Sequence, residues 1–178
     1  MLFKIIQFLL DVAVGLLAGA CLLRLYMQYQ RIPFGNPVGR FLFAITDWIV
    51  MPLRRVIPAA GRVDTASFVA ALLLVFAQYL VLWLMLGGAW PVATVLVLAV
   101  IGLVRLTLSA LMGLVIVYAI LSWVRADSPL FDIIDRLCAP LLRPFRKVIP
   151  LVGGFDLSPL AFLVVVQVGL IVVASIAP

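Results

Sequence analysis

The sequence has no histidine, only two cysteines and few charged side chains among its 178 residues. Without histidine, a Ser-His-Asp or Cys-His catalytic site, histidine-ligated haem and histidine-bound zinc are all excluded. Charged residues make up 11% of the chain and hydrophobic residues 67%, whereas a soluble domain is about 25% charged. So little charge cannot solvate the surface of a soluble domain, and the composition therefore predicts an integral membrane protein.

Cysteine pairs and the common catalytic motifs are also missing. Cys21 and Cys138 are far apart and form no CxxC, which argues against a disulfide framework and against a tetrahedral metal site. Each cysteine is typical of a small core residue. The sequence contains no GxxxxGK(S/T) loop and no GxGxxG, HExxH or CxxCH motif. We therefore predict that the protein is not an enzyme and has no catalytic, cofactor-binding or metal-binding residues.

Four apolar stretches are long enough to cross a bilayer, which takes about 20 helical residues. They lie at residues 2–29, 67–90, 92–123 and 157–177. Backbone polar groups in lipid must be satisfied within the protein, and no pattern of closed strand pairing is visible, so each stretch is predicted to be a helix. The first stretch has the small residues of a signal-peptide cleavage site before Cys21. Its apolar run from Leu2 to Leu23 is nevertheless about 33 Å long as a helix, and we expect it to be retained.

The basic residues are concentrated in two connections. Eleven of the thirteen positive charges lie at residues 24–66 and 123–157, and the turn around residues 87–91 has none. The positive-inside rule therefore predicts that both connections are cytoplasmic and both termini outside. Topology and lipid contact account for the isoelectric point of about 10.0, and we predict no nucleic-acid partner.

The chain repeats itself after 92 residues without a gap. The repeat aligns aromatic, basic, acidic, proline and glycine positions: Tyr26 with Tyr118, Pro37 with Pro129, Pro52 with Pro144, Arg54 with Arg146, Pro58 with Pro150, Gly61 with Gly153, and Asp64 with Asp156. Each copy contains two spans, an even number, so the copies must run parallel rather than inverted. We predict two domains, at residues 1–91 and 92–178.

Each connection is predicted to contain an amphipathic helix that lies in the cytoplasmic interface. Asn36 and Ser128 each precede a proline, which is typical of a helix N-cap. Apolar residues then recur with helical spacing, at Val38, Phe41, Leu42, Ile45 and Trp48 or Ile49 in the first copy and at Leu130, Ile133, Ile134, Leu137 and Leu141 in the second. Helices of this kind lie in the plane of the membrane interface.

A basic segment bracketed by prolines follows each amphipathic helix, at residues 52–58 and 144–150. We call these two segments the basic hinges, because proline at both ends is expected to stop the helix and stiffen the chain. Asp64, and Asp156 or Ser158, are the expected caps of the spans that follow. The sequence thus predicts an all-α membrane protein with four transmembrane helices and two interfacial helices in a parallel tandem repeat.

The run from Asn36-Pro37 through residues 52–58 to Gly61 and Asp64 resembles the signature of the YggT family, and residues 128–159 resemble it again. The resemblance covers nearly the whole chain. It implies a small multi-pass protein of the bacterial inner membrane, with relatives in chloroplast membranes. The family is linked loosely to osmotic and potassium homeostasis, to neighbours of cell-division genes and to cytochrome b6 maturation. It has no agreed catalytic residues to carry over.

Two charges lie inside predicted spans, Asp11 in the first and Arg105 in the third. Charges at bilayer depth are costly and normally face a partner or a cavity. The repeat aligns Asp11 with Leu103, about 3 Å along a helix axis from Arg105. If these spans pack side by side, the two charges lie at similar depth. We hypothesise a salt bridge between them that ties the copies together; the alternative is an ion or proton site.

The basic hinges carry the predicted binding groups, which are Arg54, Arg55, Arg146 and Lys147, with Arg143 just before the second hinge. Such clusters attract anionic lipid headgroups at about 1 kcal/mol per charge. The alternatives are that they only enforce topology, or that they dock an acidic segment of a partner.

Two functions from different classes fit these features. The first is a non-enzymatic scaffold or accessory protein that supports the assembly or homeostasis of other membrane proteins. Its expected partners are anionic lipids, a membrane protein of unknown identity and a second copy of the chain. The second is an ion-transport component linked to potassium or osmotic stress, which would need an oligomer or a partner because four spans make a thin wall for a pore.

Overall fold

The structure is a computed structural model that describes residues 1–58, 61, 63–88, 91–124, 129–149 and 156–176. Its elements are six helices, α1 to α6 in chain order: Leu2–Tyr29, Pro37–Val56, Thr65–Met85, Val92–Val124, Pro129–Val148 and Ser158–Ile176. The predicted all-α class is confirmed. Four helices are long and apolar enough to span a membrane, namely α1, α3, α4 and α6.

The helices form two compact units, which comprise residues 1–107 and 108–176. The boundary predicted at residues 91 and 92 stays a prediction. In the first unit, α1 packs along α3, and α2 packs against both. Small side chains fill their core, among them Ala18, Cys21, Ala70 and Ala71, and small residues allow membrane helices to approach closely.

In the second unit α5 packs against α6, and the C-terminal half of α4 lines the same core. Tyr118, Cys138 and Leu142 are buried there. Phe145 meets Phe162 edge to face, with ring centroids 5.7 Å apart. The prediction that both cysteines are core residues is confirmed, because Cys21 and Cys138 are free and buried.

The ends of the helices follow the predicted capping signals. Asn36 accepts a hydrogen bond from the backbone N–H of Gly39 at 2.8 Å, and Asp64 accepts one from the N–H of Ser67 at 3.3 Å. Asp156, rather than Ser158, receives the first N–H of α6 at 2.9 Å. The turn after α3 uses Gly87 and Gly88 at φ values of 76° and 68°, a left-handed conformation that glycine adopts without strain.

The basic hinges are not separate segments, and this prediction was wrong. Helix α2 continues through Pro52 to Val56, and α5 continues through Pro140 and Pro144 to Val148. A proline inside a helix costs about 3 kcal/mol, but packing holds α2 on both sides of it. Val50 is fully buried before Pro52, and Arg54 is ion-paired after it.

The prolines at the C-terminal ends of the two basic hinges are a separate case from Pro52 and Pro144. Pro58 lies just beyond the end of α2, as the sequence predicted. Six residues of interest lie outside the described residues: Ser128, Pro150 and Gly153 of the second repeat, Arg62 and Arg125 of the two basic connections, and Trp90 of the turn at residues 87–91. Gly61 is described and has a φ of 60°, which is consistent with a tight turn between α2 and α3.

Candidate functional site

A buried arginine joins α1 to α2. Arg24 is only 1% exposed. Its Nη1 donates to Thr46 Oγ1 at 2.9 Å and to Asp47 Oδ1 at 2.6 Å. Its guanidinium carbon lies 4.5 Å from the centroid of the Phe43 ring. The side chain thus crosses from α1 to α2 with its charge compensated by a carboxylate and by an aromatic face.

Asp64 extends this cluster to α3. The carboxylate is fully buried, and its Oδ2 accepts from Arg54 Nη2 at 2.5 Å and from Ser67 Oγ at 2.7 Å. Arg24 Nε lies 3.8 Å from the same oxygen. Arg54 also donates to Gln28 Oε1 at 3.3 Å, so the hydrogen-bond network includes a second residue of α1. We call Arg24, Asp47, Arg54 and Asp64 the four-charge cluster; its formal charges sum to zero.

The second copy repeats one of these ion pairs. Arg146 Nε donates to Asp156 Oδ2 at 2.9 Å, and Arg146 Nη2 donates to the Tyr118 hydroxyl at 2.7 Å. Under the 92-residue shift this pair coincides with Arg54 and Asp64. The repeat therefore preserves an interaction as well as a sequence, which joins the end of each amphipathic helix to the start of the span that follows.

The rest of the four-charge cluster is missing from the second copy. The shift aligns Arg24 with Ile116 and Asp47 with Ala139. The Arg146–Asp156 pair is accordingly more open, with side-chain exposures of 38% and 29%. The two copies thus share one ion pair but differ in how firmly charge fixes the ends of their helices.

The pKa values of the Asp64 and Asp156 carboxyls reflect both their burial and their hydrogen-bond partners. Burial raises the pKa of the Asp64 carboxyl, but hydrogen bonds from Arg54 and Ser67 outweigh burial and bring it below its ordinary value. The pKa of Asp156 is also lowered: burial opposes the shift, and hydrogen bonds from Ser158 and Arg146 drive it. Both carboxyls are therefore charged at neutral pH, which makes the two clusters true ion pairs.

The predicted Asp11–Arg105 salt bridge is not among the ion pairs of the described residues. Asp11 Oδ1 instead accepts a hydrogen bond from Gln78 Nε2 at 2.5 Å, which links α1 to α3. The ring of Tyr79, one residue after Gln78, lies against Gly102 on α4. The direct pairing of Asp11 with Arg105 stays a prediction.

The five basic residues of the predicted hinges divide into two groups. Arg54 and Arg146 are taken up by ion pairs. Arg55, Arg143 and Lys147 are exposed near the C-terminal ends of α2 and α5, and none of them is in a salt bridge with a described residue. Only this second group is available to bind an anionic ligand through a free charge.

Sequence reasoning missed the role of Arg24, because its position at the end of a span suggested only a topology-setting charge. A usable signal was Asp47 in the middle of α2, an acid one helical position from the buried Thr46. Sequence reasoning also missed that Arg54 and Arg146 pair with Asp64 and Asp156. The repeat itself carried that signal, since it keeps a basic and an acidic residue ten positions apart in both copies.

The arrangement supports binding and structural roles more readily than bond-making chemistry. Within the described residues, no group of three histidine, cysteine or acidic side chains is placed to hold a metal ion. Burial raises the pKa of the Cys138 thiol to about 12, and a thiol that stays protonated is a poor nucleophile. The polar groups of interest among the described residues are therefore the ion pairs, the Asp11–Gln78 hydrogen bond and the exposed cations.

Comparison with known proteins gives one consistent family. The CCB3/YggT family matches residues 3–85 and again residues 97–177. The chain is 36% identical to the uncharacterised YggT protein of Escherichia coli K12 over 92% of its own length and 86% of the relative. It is 35% identical to an uncharacterised protein of Pseudomonas aeruginosa over 88% of its own length and 82% of the relative.

A third relative, an uncharacterised protein of Vibrio alginolyticus, is 32% identical over 90% of the chain and 89% of the relative. No solved structure matches the chain significantly. The printed names of these relatives state no activity, substrate or partner.

Proposed function

The chain belongs to the CCB3/YggT family, and from that premise we propose that it is a non-enzymatic scaffold or accessory protein of the membrane. In this role it supports the assembly or homeostasis of other membrane proteins and contacts anionic lipid headgroups. Four helices that are long and apolar enough to span a membrane support its integral membrane character.

The exposed cations at the ends of α2 and α5 carry this proposal. Arg55, Arg143 and Lys147 lie in the C-terminal parts of the amphipathic helices α2 and α5 and outside the salt bridges of the described residues. Juxtamembrane cations attract anionic headgroups at about 1 kcal/mol each. The neighbouring ion pairs, Arg54–Asp64 and Arg146–Asp156, fix the helix ends that present these cations. A preordered surface loses less conformational freedom on binding than a flexible tether does.

Lipid contact is tested with matched double variants in nanodiscs that contain phosphatidylglycerol and phosphatidylcholine. Arg143→Gln with Lys147→Gln removes two of the exposed cations, and Lys4→Gln with Arg31→Gln removes the same charge elsewhere. Two cations at about 1 kcal/mol each correspond to a roughly 30-fold weaker preference for the anionic lipid. Native mass spectrometry of the retained lipid measures that preference. An equal loss in both double variants would mean that only net charge matters and would contradict the proposal.

The scaffold role is tested by what the protein holds in its native membrane. After chemical crosslinking and purification, we expect the same membrane protein to be recovered repeatedly, and its yield to fall in the Arg55→Gln, Arg143→Gln, Lys147→Gln triple variant. The Lys4→Gln, Arg31→Gln variant is the control. A yield that is the same in all three proteins would contradict docking through these cations.

Orientation is part of the proposal. We infer that the protein lies in the bacterial inner membrane with residues 24–66 and 123–157 cytoplasmic and both termini outside, because those connections hold eleven of the thirteen positive charges. Reporter fusions at both termini check this. Cytoplasmic reporter activity at either terminus would overturn the orientation.

A second candidate function rests on the carboxylate of Asp11 inside α1. An acidic residue in a span is by default a candidate for an ion or proton pathway, and Asp11 accepts a hydrogen bond from the neutral side chain of Gln78. This candidate is an ion-transport component linked to potassium or osmotic stress, and it needs an oligomer or a partner. Potassium flux into proteoliposomes that Asp11→Asn abolishes would favour it. Absence of flux, together with a reproducible partner, favours the scaffold.

A further inference from the structure

Helix α2 has two apolar sides, and its neighbours cover only one of them. Leu42, Thr46 and Val50 are buried against α1 and α3. On the opposite side Phe41, Trp48 and Met51 are 62%, 61% and 52% exposed, and Ala44 is exposed between them. Their spacing of three, four and three residues places these four side chains in one stripe. We call Phe41, Ala44, Trp48 and Met51 the outward stripe.

The repeat shows that the outward stripe is not a general property of this fold. The 92-residue shift aligns Ala44 with Arg136 and Met51 with Arg143, and both of these arginines are exposed on α5. The shift also aligns Trp48 with Pro140, which is exposed as well. At the fourth position the shift aligns Phe41 with Ile133, which is buried. The outward stripe of α2 is thus wholly apolar, whereas two of the aligned positions on α5 are exposed arginines.

The connections of α2 keep it at the membrane. Residues 30–36 join it to α1, and residues 57–64 join it to α3, and both of those helices are candidate spans. Basic residues flank the outward stripe, with Arg40 before it and Arg55 after it, both exposed. An apolar stripe with aromatic side chains and flanking cations is the pattern of a helix that binds at the bilayer interface.

The one polar atom within the outward stripe is already satisfied. Trp48 Nε1 donates to the backbone carbonyl of Ile45 at 2.8 Å. An indole whose N–H is bonded within its own helix does not require a water or headgroup acceptor. The outward stripe can therefore enter an apolar layer without leaving a donor unpaired.

We propose that the outward stripe of α2 is inserted into the acyl-chain layer of the leaflet on its side of the membrane. The aligned side of α5, with Arg136 and Arg143, instead contacts water and lipid headgroups. The occupant of the α2 surface is thus lipid rather than a protein. The inference depends on the membrane-spanning character of α1 and α3, and it is independent of the scaffold role.

The test uses spin labels at aligned positions of the two copies in the full-length protein reconstituted in bilayers. Single variants Ala44→Cys and Met51→Cys label the outward stripe, and Arg136→Cys and Arg143→Cys label the aligned positions of α5. The unmodified chain, whose two cysteines are buried, gives the background labelling. Power saturation measures collisions of each label with oxygen, which concentrates in acyl chains, and with a water-soluble nickel chelate.

We expect the labels on α2 to collide several-fold more with oxygen than with nickel, and the labels on α5 to show the reverse. Strong nickel collisions at positions 44 and 51 would place the stripe in water and overturn the proposal. Low collision rates with both reagents there would also overturn it, because they would show that a protein surface, from a second copy or a partner, covers the stripe. Oxygen-dominated collisions at all four positions would overturn the contrast between the helices.

Discussion

Replacing Asp64 with alanine removes the carboxylate that α3 contributes to the four-charge cluster. Arg54 then loses its carboxylate, and Arg24, which is 1% exposed, keeps only Asp47 and Thr46 as polar partners. A buried cation without its full compensation cannot recover hydration, since its surroundings exclude water. We therefore expect Asp64→Ala to destabilise the first unit strongly.

The magnitude follows from comparison with the equivalent change in the second copy. Removing one partner of a buried ion pair costs about 3–5 kcal/mol. Asp64 is fully buried but Arg54 is 36% exposed, so we expect the lower end of that range, and losing the cap at the start of α3 costs about 1 kcal/mol more. Asp156→Ala also removes an N–H acceptor at the start of a helix, but its ion pair is about one-third exposed, and such pairs contribute about 0–1 kcal/mol. The cap terms largely cancel, and Asp64→Ala should be the more destabilising by about 3 kcal/mol.

The assay is reversible unfolding in mixed micelles with an increasing fraction of sodium dodecyl sulfate, followed by tryptophan fluorescence. Both variants keep all four tryptophans, so the signals are comparable. Adding Arg24→Ile, the residue of the second copy, to Asp64→Ala should restore part of the lost stability, since it removes a poorly compensated cation. Equal losses for Asp64→Ala and Asp156→Ala, or no restoration by Arg24→Ile, would refute the assignment of this stability to the buried cluster.

Four other predictions concern separate features. Burial acts to raise the pKa of Asp64 in the folded chain, but its hydrogen bonds bring the pKa below the ordinary value. The stabilisation that the Asp64 carboxylate contributes is therefore complete above about pH 5, and it is lost as the pH falls through the lowered pKa. Asp64→Asn should flatten that acid limb of unfolding, and an unchanged limb would count against the pairing. Gly39→Ala should cost about 1–3 kcal/mol in the same unfolding assay, because its new Cβ would collide with a neighbouring backbone carbonyl. Gly15→Ala, which meets no atom within 4 Å, should be neutral or stabilising. Pro52→Ala should raise stability by about 1–3 kcal/mol by relieving a proline inside α2; a loss would restore the hinge interpretation. Gln78→Leu should cost about 0.5–2 kcal/mol through the hydrogen bond to the carboxylate in α1, and no change would argue that this contact is unimportant.

The architecture was predictable because membrane-spanning helices are specified by local sequence. Length and hydrophobicity decide a span, and the observed α1 and α4 differ from the predicted stretches by at most one residue at either end. Caps are local too, and Asn36 and Asp64 both occupy their predicted positions. The repeat was visible because proline, glycine and charged positions stand out against an apolar background.

Tertiary interactions explain what the sequence did not predict. Proline propensity argued for a break at Pro52, but the buried Val50 and the paired Arg54 hold the helix across it. The cations of the basic hinges looked equivalent in the sequence. Sequence position shows which charged residues are neighbours along the chain, but it does not show which residues they form ion pairs with. Arg54 and Arg55 are adjacent, yet one is bound to a buried carboxylate and the other is exposed.

The difference between the copies is best explained as the replacement of a pair. At the aligned positions the first copy has Arg24 and Asp47, and the second has Ile116 and Ala139. Arg24 is buried although Asp47 is 45% exposed, so a chain that kept the arginine without its acid would leave a buried cation poorly compensated, whereas replacing both residues with apolar ones avoids that cost. Opposite charges that contact each other are therefore expected to appear or disappear together. The first copy has the Arg54–Asp64 ion pair, and the second has the aligned Arg146–Asp156 pair. The interaction common to the two copies therefore joins each amphipathic helix to the span that follows it. The additional Arg24–Asp47 salt bridge gives the first copy a charged link between α1 and α2, whereas the second copy links the aligned helices α4 and α5 through the hydrogen bond from Arg146 to the Tyr118 hydroxyl.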